Sequence, residues 1–184
     1  MRTLHCGNLA NVGYMISKQL REAGQDQFLL MEKNPPQGSD PKNFDSTLGD
    51  EYPDWIIFYD KKKFSWKRDL IRIMRDKQFD LLHAHVELPI FAYLSRRPFL
   101  SHPMGSDLRE MAFTNSLRGI LLRRAYRKSK AIFFGGPGLY SLLLKLKIQK
   151  TIFLPFVHDV SFFKPQSIEN EFNNFSNFKK FFGD

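Results

Sequence analysis

The stretch that most restricts what this chain can fold into is FDLLHAHVELPIFAYLSRRPFLSHPMGSDLRE, residues 79–110. It holds two short apolar runs, 79–84 and 98–101, on either side of a segment, 88–94, of helical character. Each run ends in polar residues: His83-Ala84-His85 after the first, and His102-Pro103-Met104-Gly105-Ser106-Asp107 after the second. A strand, a short crossover and a second strand account for that order, because parallel strands need a crossover between them and then present both carboxyl ends at one edge. In open α/β sheets that edge is where ligands bind. His83, His85, His102 and Asp107 are thereby predicted at one rim.

The rest of the chain continues the alternation. Residues 3–6 read as a first strand, Gly7-Asn8 as a tight turn and Asn11 as the N-cap of a helix whose Val12, Met15, Ile16 and Leu20 recur at near-helical spacing until Gly24 ends it. Residues 27–32 form a second strand. The segment 34–53 is rich in Pro, Gly, Asp and Ser without a period, and reads as a long surface loop. A strand at 55–59 is followed by a helix with Leu70, Ile73 and Met74 at core spacing. Beyond the central stretch, 116–130 reads as a helix with Leu117, Ile120, Leu121 and Ala125 on one side and Arg123, Arg127 and Lys130 opposite. A strand at 131–134, a Gly-Pro turn at 135–138, a helix at 139–146 and a strand at 151–154 complete the series. The expectation is an α/β fold, a Rossmann-like parallel sheet with helices on both faces, as one domain over 1–165. Pro165 marks the boundary, and the tail 166–184 carries Phe172, Phe175, Phe178, Phe181 and Phe182, aromatics that suit a partner surface.

A length of 184 residues suits one well-cored domain. The lone Cys6 excludes an internal disulfide and a cysteine-based metal cluster, and suits a reducing compartment. With no secretory leader or long uncharged apolar run, a cytoplasmic location is expected. The net charge of +9 implies attraction to phosphates, whether of nucleotide, nucleic acid or anionic lipid, and does not choose among them.

Gly7-Asn8 with Gly13 stands where dinucleotide folds carry their phosphate-binding turn. The spacing is not G-x-G-x-x-G, however, and no P-loop Lys-Ser/Thr follows, so NAD is not expected. Two readings remain: glycine permits the turn, or the amides at the helix start receive an anion. His83 and His85, at i and i+2 on a strand, point the same way. Two imidazoles can ligate a metal, but a site needs a third ligand and no companion motif supplies one, so no metal is expected. The alternative is one buried, hydrogen-bonded histidine and one at the rim, with Glu87 as a charge partner or a solvated residue. His102 is the strongest single candidate, a hydrogen-bonding group at a strand end. Ser106 and Asp107 after it are either a helix cap or part of the same site. The absence of a G-x-S-x-G elbow and of paired carboxylates at glycosidase-like positions argues against a hydrolase.

Basic residues concentrate in 61–68, KKKFSWKR, and in 118–130. A charge run is generally a solvated face. Two of them, with Phe64 and Trp66 interleaved in the first, point to an anionic membrane surface attracted by Lys61, Lys62, Lys63, Arg123 and Arg127. No RNP-like strand or other nucleic-acid motif is present, and nucleic acid is not an expected partner.

Five phrases, LHCGNLANVGYMISKQLREAGQDQFLLME, FDLLHAHVELP, PFLSHPMGSDLRE, KAIFFGGPGLYSLLLKL and IFLPFVHDVSFFKP, resemble in that order the amino-terminal, acceptor-side domain of family 4 glycosyltransferases with the GT-B fold. The most specific parts are the strand-final histidine with Gly-Ser-Asp, and the phrase built on Leu154, Pro155, Asp159, Phe163 and Pro165, which in the family leads into the second domain. The resemblance implies transfer of a sugar, with retention of configuration, from a nucleotide-sugar co-substrate to a glycan or glycolipid acceptor such as an envelope polysaccharide. It implies no metal or other cofactor. It places Gly7 and Asn8 in the loop facing the donor phosphates, His102 on the transferred sugar, and His85 and Asp107 on the acceptor side. Gly7-Asn8 departs from the family's Gly-Gly pair, and Gly135-Gly136-Pro137-Gly138 stands where a polar strand end is more usual. The family's donor domain would begin near 166, so the 184 residues are expected to need that domain, or a partner chain carrying it, to transfer sugar. The alternative is a non-catalytic module that attaches to anionic membrane or to a partner subunit.

Overall fold

The structure, a computed structural model, describes residues 1–155. The expected boundary at Pro165, the phrase through Asp159 and the aromatic tail lie outside the described residues. Seven strands form one sheet: β1 (Thr3–Cys6), β2 (Gln27–Glu32), β3 (Ile56–Tyr59), β4 (Leu81–His85), β5 (Phe99–His102), β6 (Ile132–Phe134) and β7 (Thr151–Phe153). Their order is β3-β2-β1-β4-β5-β6-β7 and every pairing is parallel. The predicted strand, crossover and strand at the centre stand as β4, α3 (Pro89–Ser95) and β5. The chain winds outward in opposite directions from β1 and β4, which makes their carboxyl ends the switch point of the sheet.

Alternation along each strand sorts the side chains between two faces. One face presents Leu4, Cys6, Leu30, Leu82, Ala84 and Phe99 to α2 (Trp66–Met74) and α3, where Leu70, Met74, Phe91 and Ala92 close the core. Leu70 and Met74, four residues apart, lie on one side of α2 and are fully buried. Around β6 the core continues through Leu108, Leu122, Tyr126, Leu139 and Leu143, supplied by α4 (Ser106–Arg109), α5 (Leu117–Lys128) and α6 (Pro137–Lys145). The opposite face receives α1 (Val12–Glu22), whose Tyr14 and Met15 pack on Leu29, Met31, Trp55 and Ile56. Helices therefore cover both faces, as predicted.

Helix ends follow their sequence signals. Gly24, at φ 77°, closes α1 with Gly24 N–H on the Arg21 carbonyl and Gln25 N–H on the Leu20 carbonyl, the paired bonds of a left-handed glycine terminus. Ser116 caps α5 by accepting from Gly119 N–H at 3.1 Å. The start of α1 differs from expectation. Asn11 is left-handed and makes no side-chain cap; instead Asn8 Oδ1 accepts from Tyr14 N–H at 2.7 Å. The segment 34–53 is also less loose than its composition implied. It contains two short 3-10 turns, and Asp45 is buried where Tyr14 Oη and Lys18 Nζ each donate to it at 2.6 Å.

Candidate functional site

The carboxyl ends of β1 and β4 carry the first of the predicted groups. Gly7 takes φ 98° after β1, which only glycine adopts without strain, and an added Cβ would meet a Leu88 methyl at 3.1 Å and His85 Cβ at 3.5 Å. Asn8 is buried, and besides capping α1 it donates through Nδ2 to the Ser39 carbonyl at 2.8 Å. Its side chain holds the turn and the following loop together. A cleft of about 190 Å³ opens here, lined among others by Gly7, Asn8, Glu32, Lys61, His85 and Glu87. Glu32 pairs with Lys61 at 2.7 Å and Glu87 pairs with Arg118, so the carboxylates of the cleft wall are engaged from both sides. Val86, just past β4, sits at φ 56°, a left-handed conformation that a β-branched residue adopts only under constraint, and its N–H donates to the His102 carbonyl at 3.1 Å. Strain of this kind costs about 1–3 kcal/mol and collects at binding sites.

The histidines form a single cluster. In register, His5 of β1 stands beside His83 of β4, and His85 beside His102 of β5, all on one face of the sheet. Ring centroids are 5.0 Å apart for His5 and His83, 4.4 Å for His83 and His85, 5.1 Å for His85 and His102, and 5.3 Å for the stacked His83 and His102. All four are at most 4% exposed. His5 Nε2 bonds Gln27 Oε1 at 2.9 Å, and its Nδ1 faces His83 Nδ1 at 3.1 Å. Among the described residues, His83 Nε2 and both ring nitrogens of His85 and His102 have no hydrogen-bond partner. Burial, the dominant cause, lowers the pKa of every ring: His5 and His102 to about 4, and His83 and His85 well below the ordinary value, with the neighbouring imidazoles as a second cause for His83, His85 and His102. The cluster is therefore neutral at pH 7.

Of the predicted residues, Gly7, Asn8 and His85 share the cleft, while His102 lies behind His85 and is 1% exposed. Asp107 is buried and fully engaged: Oδ1 accepts from Met104 and Gly105 N–H at 3.0 and 2.8 Å, and Oδ2 accepts from Tyr126 Oη at 2.7 Å. Ser106 opens α4 on the surface and caps nothing, since Gly105 holds the cap position without a side-chain bond. The third imidazole that the spacing of His83 and His85 did not supply is His5, and Gln27 orients it. Neither carries a motif; only the pairing of β1 with β2 and β4 brings them in.

The basic residues divide by environment. Arg123 donates to the Ala112 and Thr114 carbonyls, and Lys61 is paired with Glu32. Lys62, Lys63 and Arg127 project into solvent. Trp66 is half-buried between Tyr59 and Phe91, centroids 6.4 and 5.6 Å away, whereas Phe64 is wholly exposed. Among the described residues no helix is long and apolar enough to cross a membrane.

This architecture is a Rossmann-like α/β unit of the kind found in glycosyltransferases of the GT-B fold. The likeness is to sucrose-phosphate synthase from Thermosynechococcus elongatus, which aligns over 95% of this chain and 53% of its own with a TM-score of 0.64 and 12% identity. A second structure of that synthase, from a twinned crystal, aligns over 98% of both chains with a TM-score of 0.52 and 12% identity. At that identity the likeness is one of fold. The chain spans about half the length of the first synthase chain. No protein-family model matches the sequence, and no curated protein matches it.

Proposed function

We propose that this chain is the acceptor-side domain of a retaining glycosyltransferase of the family 4 type, which transfers sugar from a nucleotide-sugar to an envelope glycolipid or polysaccharide. The observation that carries the reading is the cleft at the switch point of the sheet, where Gly7, Asn8 and His85 meet between β1 and β4 in a GT-B-like fold. Gly7 and Asn8 face the donor phosphates, and His85 and Glu87 line the acceptor side. Asp107 shapes the loop after β5 by accepting from Met104 and Gly105 N–H, with Ser106 exposed beside it. His102 is assigned to the transferred sugar because it ends β5 in register with His85 and, among the described residues, both its ring nitrogens lack partners. Its burial makes that contact conditional on the rim opening toward the sugar. A donor domain, in the same polypeptide or a partner chain, supplies most of the charge that stabilises the departing diphosphate.

The test is transfer of labelled sugar from a panel of nucleotide sugars to membrane glycolipid, with a donor-binding domain present. His102→Ala is expected to lower kcat about 100-fold, equivalent to ~3 kcal/mol of transition-state stabilisation. Undiminished turnover in that variant removes His102 from the site. A second reading, a module held at an anionic membrane on the cytoplasmic side, is favoured by the exposed Phe64 among Lys62, Lys63, Lys67 and Arg68.

A further inference from the structure

We propose that His5, His83 and His85 bind one divalent transition-metal ion of the zinc class, with His102 beside its remaining coordination position. One nitrogen from each of the three rings lies within 4.8 Å of the others. The His5 ring is fixed by the bond between its Nε2 and Gln27 Oε1, a buried amide oxygen at 2.9 Å that calls for an N–H. Nδ1 is then the unprotonated nitrogen, and this is the way metal-bound histidines are oriented by a neighbouring acceptor. It faces His83 Nδ1 at 3.1 Å, close to the separation of about 3.3 Å that two nitrogens have on a tetrahedral ion with bonds of 2.0–2.1 Å. Uptake of an ion replaces the bond between these rings: the His83 proton moves from Nδ1 to Nε2, and both Nδ1 lone pairs turn to the metal. Neutral rings donate without net release of a proton.

The cluster's surroundings point the same way. A strand in the middle of a parallel sheet normally reads as a continuous apolar run, yet three adjacent strands here place imidazoles at neighbouring register positions. Among the described residues, five of their buried nitrogens have no hydrogen-bond partner: one on His83, two on His85 and two on His102. Buried polar atoms without partners are rare unless something outside the chain satisfies them. A donor set of imidazole alone selects Zn²⁺, Cu²⁺, Ni²⁺ or Co²⁺ over Mg²⁺ and Ca²⁺, which take oxygen. His85 borders the cleft, which supplies the way in.

The inference is independent of sugar transfer, and its test reads metal alone. The tag-free 184-residue chain is stripped with a chelator and titrated with ZnCl₂ by calorimetry, and with CoCl₂ by visible absorption. The expected result is one ion per chain, with the intense absorption of four-coordinate Co²⁺. His83→Gln should abolish stoichiometric binding. Gln27→Ala, which frees the His5 ring, should weaken it about 10-fold. Absence of stoichiometric binding by the wild-type protein, the weak absorption of six-coordinate Co²⁺, or undiminished binding in His83→Gln overturns the proposal. If His83→Gln does not fold, the wild-type Co²⁺ spectrum and the Gln27→Ala titration decide it.

Discussion

At Gly13, in the first turn of α1, any other residue would place its Cβ 2.1 Å from the Gly7 carbonyl oxygen. Neither partner can yield easily, since the contact is backbone on backbone and Gly7 is itself held at φ 98° against His85 and Leu88. Gly13→Ala is therefore expected to destabilise the protein by about 3 kcal/mol or more, at the upper end of overpacking costs, measured as a fall in the urea midpoint at constant slope. A change in slope instead would mean that the unfolded or native state had been altered more broadly. Asn8→Ala should cost about 1–2 kcal/mol through the lost cap on Tyr14 N–H. The two glycines and Asn8 were legible in the sequence as a turn at the right place. What the turn does was not, because the second partner of Asn8 is Ser39, 31 residues away in a segment without a pattern.

Among the elements, α1 and the 34–53 segment are joined through Asp45. Burial alone would push its carboxyl up, but hydrogen bonds from Lys18, Thr47 and Tyr14 outweigh that and hold it well below the usual carboxylate range. In the unfolded chain the same group takes up a proton near pH 4. Below about that pH the unfolded state binds more protons, so the stability this group contributes is present at neutral pH and lost as the pH falls toward its folded value. Asp45→Asn should be less stable than wild type at pH 7, and the gap should narrow between about pH 5 and pH 2 in denaturation measured at each pH. A gap independent of pH would mean that the carboxylate's charge contributes nothing there. The strands were legible because short apolar runs bounded by Gly and His ends have few other solutions. Strand order was not written in any local spacing: His5 is 78 residues from His83, and only the pairing of β1 with β4 makes them neighbours. For the same reason the polar run 34–53 read as free loop, although Ser39 and Asp45 are buried anchors.

Over the whole molecule, a net charge of +9 is a poor guide to where an anion would bind, because several of the cations have work inside the fold. Arg123 ties α5 to the Ala112 and Thr114 carbonyls, Lys61 answers Glu32, and Trp66 packs between Tyr59 and Phe91. Among the cations exposed at the surface, Lys62, Lys63, Lys67 and Arg68 flank the exposed Phe64 at the start of α2. If this patch carries the proposed attachment, each cation contributes about 1 kcal/mol at an anionic bilayer, and Phe64 inserts at headgroup depth. Lys62→Gln with Lys63→Gln should then weaken sedimentation with phosphatidylserine vesicles about 30-fold, and raising the salt should weaken the wild type in the same direction. The thermal midpoint should not move, since both lysine side chains are exposed. Trp66→Ala should behave in the opposite way, losing about 2 kcal/mol of stability for a half-buried indole while the folded fraction binds vesicles as before. Vesicle binding that ignores both salt and the two lysines would sever the charge of this protein from any membrane role.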